Sequence, residues 1–292
     1  MSEDVQHDEG VRRSPLPWAI GIMAVLAVLL VITARIVTDL WWFRSVHFET
    51  VFTTRLVTQI GLFVVGAAVM GLITWTSLRI AYRLRPKVRR ANLDSELLLR
   101  ARDSLDARAG KLMVAAAVLV GLFAGVNALQ RVDVFLASWR AVPFGEQDPY
   151  YHLDASFYVF HLPWITYCVG FLLVALVVAT LGATVIHFLT GSLTVKALTN
   201  AGNVQRSKGP HRQLSVLLGL VLLALAVSTF LGRYGFLTST NSLFSGVSYT
   251  DATARMPAQT ILAGIMLVVA CVCWFNAYRV RWSIPGVSLV LL

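Results

Sequence analysis

The stretch Ile165–Leu189, ITYCVGFLLVALVVATLGATVIHFL, decides the fold class. It carries no Asp, Glu, Lys or Arg, and it is too long and too poorly alternating to be a strand. As a helix rising about 1.5 Å per residue it crosses the roughly 30 Å hydrocarbon layer of a bilayer. Five more runs share its character: Trp18–Val37, Leu56–Leu78, Leu112–Leu129, Leu214–Leu231 and Thr260–Tyr278. A seventh begins near Ile284 and is still apolar at Leu292. Backbone groups in lipid must satisfy one another, which favours helices. The expected fold is an all-α, polytopic transmembrane helical bundle of six full spans plus the start of a seventh, with interfacial helices in its loops. Residues 1–17 read as a disordered cytoplasmic tail and residues 18–292 as the transmembrane domain.

Composition agrees. Apolar residues make up 57% of the 292 and charged residues only 14%, against about a quarter charged in soluble domains. The first run is longer than the apolar core of a secretory signal and lacks a small-residue cleavage site.

The net charge of +10 does not indicate nucleic acid, because the excess is local: ten of the 25 Lys and Arg lie between Arg79 and Lys111. With the N-terminus inside, 18 of the 25 fall on the inner side and seven outside, the bias expected of cytoplasmic loops. This places a multi-pass protein in the cell membrane. Arg83, Arg85, Lys87, Arg89 and Arg90 are candidate contacts to anionic lipid headgroups.

The loops differ. In the inner one, Asn92 can cap a surface helix whose apolar positions Leu93, Leu97, Ala101 and Leu105 recur every four residues. The first outer loop, Asp39–Thr54, is aromatic, with Trp41, Trp42, Phe43, Phe48 and Phe52. The second, Gln130–Pro163, opens with Val132, Phe135, Leu136 and Trp139 on one helical face and carries Asp133, Glu146, Asp148 and Asp154. The third, Gly232–Gln259, is rich in Gly, Ser and Thr.

Chemistry is sparse. None of the 15 Asp and Glu falls in the core of a span, which weighs against an ion-coupled pump built from these residues. His187 lies near the inner end of the fourth span, where a bond to neighbouring backbone would satisfy it. Asn127, Gln130 and Gln59 can bridge helices. Ala117, Gly121 and Gly125 form a small-residue stripe for a close helix contact, within the bundle or in a homo-oligomer. Cys168, Cys271 and Cys273 sit inside spans and read as buried, inert thiols, with Cys271 and Cys273 on different sides. Asp148 and Asp154 are hard oxygen ligands, yet their spacing fits no calcium loop. No catalytic triad, phosphate loop, dinucleotide fingerprint or zinc motif is recognisable, so no catalytic, cofactor or metal residue is assigned and an enzyme is the least supported class.

Several loop motifs go further. Thr38-Asp39-Leu40-Trp41-Trp42-Phe43, followed by Val51-Phe52-Thr53-Thr54-Arg55-Leu56, resembles the first outer loop of uncharacterised protein family 0182, integral membrane proteins found mainly in actinobacteria and cyanobacteria. Ala81-Tyr82-Arg83-Leu84-Arg85-Pro86 is similar too, as are Phe144-Gly145 with Asp148-Pro149 and the segment Asp154 to Pro163. So are Arg233-Tyr234, Gly246 to Asp251 and Ala254 to Ala258. The resemblance covers Thr38 to Leu292. It implies a seven-span protein with a large extracytoplasmic domain after the seventh span, and it supplies no activity and no catalytic residue. One position departs from the pattern: the resemblance implies an acidic residue before Arg233-Tyr234, where this chain has Gly232.

The outer-face residues Trp41, Asp148, Asp154, Tyr158, Arg233, Tyr234, Tyr249, Asp251 and Arg255 are candidates for a structural or docking role. Asp154, Arg233, Asp251 and Arg255 can be expected to form ion pairs between loops. Two functions follow. One is a cell-envelope scaffold or anchor for an extracytoplasmic domain or protein partner, which calls for a packed bundle. The alternative is transport or handling of lipid or another amphiphile, which calls for an apolar groove opening to the outer leaflet.

Overall fold

The computed structural model describes residues 16–84, 96–190, 208–240 and 246–279. The N-terminal tail, Arg85, Lys87, Arg89, Arg90, Asn92 and the seventh run lie outside the described residues. Among the described residues seven α-helices follow in order: α1 (Leu16–Ser45), α2 (Glu49–Arg83), α3 (Glu96–Leu129), α4 (Val132–Trp139), α5 (Leu162–Leu189), α6 (Lys208–Gly235) and α7 (Met256–Arg279). Among the described residues six helices are long and apolar enough to cross a membrane. Even α7, at 24 residues, extends about 36 Å and exceeds the hydrocarbon thickness.

The chain divides into two compact units, residues 1–58 and residues 59–292. In the first, α1 exposes its apolar side chains all round, from Ile20 to Ile36, a state that lipid tails solvate without cost. The expected aromatic loop Asp39–Thr54 is mostly helix instead: α1 runs to Ser45 and α2 starts at Glu49. No proline or glycine interrupts this stretch, so the helices continue past the apolar runs. The turn is a Schellman closure. His47 takes a left-handed φ of 60°, and the amides of Phe48 and His47 donate back to the carbonyls of Phe43 and Arg44 at 2.9 and 3.1 Å. Phe43 packs on the buried Phe52 across the turn, ring centroids 5.7 Å apart.

In the second unit, the stripe on α3 packs inside this chain, against α2. A Cβ on Gly121 would come within 2.8 Å of the Ala67 carbonyl oxygen, and one on Gly125 within 2.8 Å of that of Phe63. Only glycine lets these backbones approach so closely. Met70, Ala124 and Ala175 then bring α5 into the same core. α6 packs against α5 and α7, with Leu222, Ala270 and Cys273 between α6 and α7. Cys273 is buried while Cys271 and Cys168 are exposed, so two of the three thiols face outward rather than inward.

The surface helix expected over residues 92–105 is not a separate element. From Glu96 onward it is continuous with the third span. Gly110 is the only weak helix former at the join, and a single glycine costs about 1 kcal/mol without breaking a helix. The short helix α4 forms as its apolar spacing predicts, with Val132 fully buried.

Candidate functional site

The second unit has two unlike ends. At one, the chain between α4 and α5 meets the end of α6, which in turn packs on the start of α7. α5 and α7 begin in the same way: a π-helical turn, Phe157–His161 or Asp251–Arg255, ends two residues before a proline, Pro163 or Pro257. Proline has no amide hydrogen and disrupts regular pairing in the turn before it. The π turn re-registers that backbone, with the Leu162 amide donating to Phe157 and the Met256 amide to Asp251. Such turns recur at functional sites.

Two carboxylates shape the loop ahead of α5. Asp148 accepts the amides of Tyr150, Tyr151 and Leu153 at 2.8, 2.7 and 3.0 Å and the Tyr158 hydroxyl at 2.6 Å. Asp154 accepts the amides of Phe144, Gly145 and Ser156 at 3.0, 2.8 and 2.8 Å. Partial burial alone would raise the Asp148 carboxyl, but the Tyr158 hydroxyl and the three amides outweigh it and hold it below the usual carboxylate range. Asp154 is held far below that range, by the Ser156 hydroxyl first and then the Phe144, Ser156 and Gly145 amides. Neither carboxylate is arranged for a cation, since backbone donors occupy both. Among the described residues no cluster of His, Cys, Asp and Glu could hold a metal ion.

The expected ion pairs between loops do not form among these residues. Asp251 accepts from the Ser248 amide and hydroxyl at 3.1 and 2.7 Å and pairs with Arg255 at 3.0 Å, one turn along its own helix. Arg233 turns to aromatic faces instead. Its guanidinium lies 3.7, 4.8 and 5.1 Å from the ring centroids of Phe230, Tyr234 and Tyr151 and donates to the Tyr234 hydroxyl at 2.8 Å. Tyr234 packs in turn against Tyr151, Phe157 and Tyr158. Arg233 Nε is buried without a hydrogen-bond partner, as is Gln259 Oε1, and Gln259 lies directly over Gly232. Trp41, in the first unit, and Tyr249 are exposed, 69% and 84% respectively.

The other end carries most of the basic residues and a buried ladder of neutral polar side chains. Gln213 on α6 donates from Nε2 to the Ser77 carbonyl of α2 at 2.9 Å, and Ser77 Oγ donates to the Ala179 carbonyl of α5 at 2.8 Å. A carbonyl can only accept, so Gln213 presents Oε1 to His187 Nε2, 3.0 Å away, and the His187 proton sits on Nε2. The partner of His187 is thus a side chain, not neighbouring backbone. Asn276 on α7 meets His211 and Ser215 on α6 at 3.0 and 3.3 Å. Toward the loop end, Asn127 bridges α3 to α5 by accepting from the Tyr167 hydroxyl at 3.3 Å. The sequence did flag Asn127 and His187. Ser77 and Asn276 could have been found by the same signal, an amide or hydroxyl inside an apolar run, whereas Gln213 stands one residue ahead of its run. Arg83, the one described member of the basic lipid-contact set, is exposed at this end.

The helices, their lengths and their buried polar bridges define a helical membrane protein. The profile of the uncharacterised protein family UPF0182 matches residues 16–292. Curated relatives agree: the UPF0182 proteins of Streptomyces coelicolor and Nocardioides sp. are 35% and 34% identical over 94% and 97% of this chain. That of Corynebacterium efficiens is 34% identical over 97%. This chain belongs to the UPF0182 family. It spans about a quarter of the length of these relatives, 27%, 28% and 28%. No solved structure matches the chain.

Proposed function

We propose that this chain is the membrane part of a cell-envelope scaffold, which orients an extracytoplasmic domain or partner at its carboxylate-braced end. The observation that supports this reading is the rigid construction of that end. Asp148 and Asp154 together accept six backbone amides and a tyrosine hydroxyl, and a braced surface pre-organises a docking face at little entropic cost on binding. Tyr249, exposed beside the buried Asp251, presents an aromatic anchor on that surface. The reading carries the multi-pass, N-terminus-inside topology in the cell membrane with it.

The test is a photo-crosslinking amino acid in place of Tyr249 in the native protein in cells. The expected product joins Tyr249 to an extracytoplasmic segment or envelope protein, and Asp148→Ala abolishes it. Adducts with lipid alone would overturn the scaffold. A membrane-impermeant maleimide, applied to intact cells with cysteine at position 249 and the three native cysteines replaced, must also label the protein; no labelling refutes the orientation.

A second reading, handling of lipid or another amphiphile, is favoured by an apolar cavity at the opposite, basic end, away from the outer leaflet where the sequence led us to expect a groove.

A further inference from the structure

Near the basic end, α2, α3 and α5 leave a cavity of about 290 Å³ open to the side of the bundle. Leu78, Ala109 and Met113 form its buried floor, and Ala116, Gly182 and Val185 stand along it. The small side chains make the space, since a Cβ on Gly182 would already reach Leu78 Cδ2 at 2.9 Å. Its few polar atoms are not arranged to hold water: the Thr190 hydroxyl is engaged with the Ile186 carbonyl at 2.8 Å. An apolar cavity of this kind stays dry, and its walls lose dispersion contacts until an apolar solute fills it.

Depth and charge say which solute. On α5 the lining runs from Gly182 to Thr190, about 12 Å of helix rise. That is less than half of a roughly 30 Å hydrocarbon layer, so the cavity lies within one leaflet. Arg83 follows the lining residue Tyr82, Arg108 precedes Ala109 and Lys111 precedes Leu112, and all three basic residues are exposed. No Asp or Glu occurs in 70–84, 108–116 or 182–190. Basic residues at the bilayer surface attract anionic headgroups. We infer that this cavity is a binding site for one acyl chain of an anionic phospholipid, with the headgroup held by Arg83, Arg108 and Lys111. The site is independent of the scaffold reading.

The experiment is native mass spectrometry of the purified chain, after equilibration with vesicles of equimolar phosphatidylglycerol and phosphatidylcholine. The wild-type protein is expected to retain one tightly held phosphatidylglycerol, preferred over phosphatidylcholine by about tenfold. Ala116→Trp and Val185→Trp each fill the cavity from an exposed position and should each remove that lipid. Val118→Trp, exposed on α3 but outside the lining, should leave it. Arg83→Gln combined with Arg108→Gln and Lys111→Gln should keep a bound lipid and erase the preference. The inference is overturned if wild type retains both lipids equally, or if both tryptophan variants fold with unchanged helicity and keep phosphatidylglycerol at the wild-type level.

Discussion

The two ends of the larger unit solve the same problem with different chemistry. At the loop end, irregular backbone is satisfied by carboxylates: seven donors converge on Asp148 and Asp154. At the basic end, regular helices are tied by neutral side chains, His187 to Gln213 to Ser77 and Asn276 to His211. Charge-assisted bonds are strong where water can still solvate the unused lone pairs. Deep in a bundle a charge would cost several kcal/mol, so amides and imidazoles serve there. Carboxylates that order backbone therefore stand at the loop end and not in the ladder.

Acid offers the largest expected contrast. Both loop carboxyls titrate lower in the folded chain than the ordinary value of 3.8. Their contribution is complete above that value and is lost as pH falls through the folded values. Near-ultraviolet circular dichroism of the tyrosine cluster should hold steady from pH 7 to about 4 and decay well below it. Helicity should persist, because the spans satisfy their own backbone hydrogen bonds. A tyrosine signal that fades above about pH 5 would show that the two carboxylates are not what orders the loop.

Single substitutions sharpen the contrast. Asp148→Ala removes a charged acceptor shared by four donors, with an expected loss on the order of 3 kcal/mol in loop stability. Hydrogen exchange at Tyr150, Tyr151 and Leu153 should accelerate, with no change around Ser77 and His187. Gln213→Leu strands the His187 Nε2 proton and takes from the Ser77 carbonyl its second donor. It should lower bundle stability by about 1–2 kcal/mol, read as a lower melting temperature in detergent with the loop amides unchanged. If either variant disturbs both ends equally, the ends are one cooperative element and the comparison fails.

The apolar runs made the helices legible because period and length are local properties. What stayed hidden depends on neighbours. Asp39–Thr54 read as a loop because polar and aromatic residues end an apolar run, yet His47 closes the turn in a conformation that sequence habit assigns to glycine. Asp154 and Arg233 read as partners by charge, whereas the first is claimed by amides within ten residues and the second by three rings. Their choice turns on loop geometry that no spacing encodes. The outer-leaflet groove follows from a supposed function and not from particular residues, whereas the cavity at the basic end comes from Gly182 and small alanines brought together by three separate helices.

The smallest effect concerns Gly232, where the family pattern implies a carboxylate. The chain keeps Arg233 Nε and Gln259 Oε1 buried and unpartnered around this glycine. Gly232 lies in the last turn of α6, which ends at Gly235, and any residue other than proline is a better helix former there, by up to about 1 kcal/mol. A Cβ there would meet only the far end of Gln259, at 3.3 Å, a side chain free to turn aside. Gly232→Glu should thus place a carboxylate next to a guanidinium that has no acidic partner among the described residues. The expected gain is about 1 kcal/mol, a rise of a few degrees in melting temperature, and Gly232→Gln should recover the helix-propensity part alone. A lower melting temperature for both would mean that Gln259 is locked in place. A gain for Gln equal to that for Glu would mean that the three rings already satisfy the Arg233 charge, and that this end does without the acidic residue that the family pattern implies.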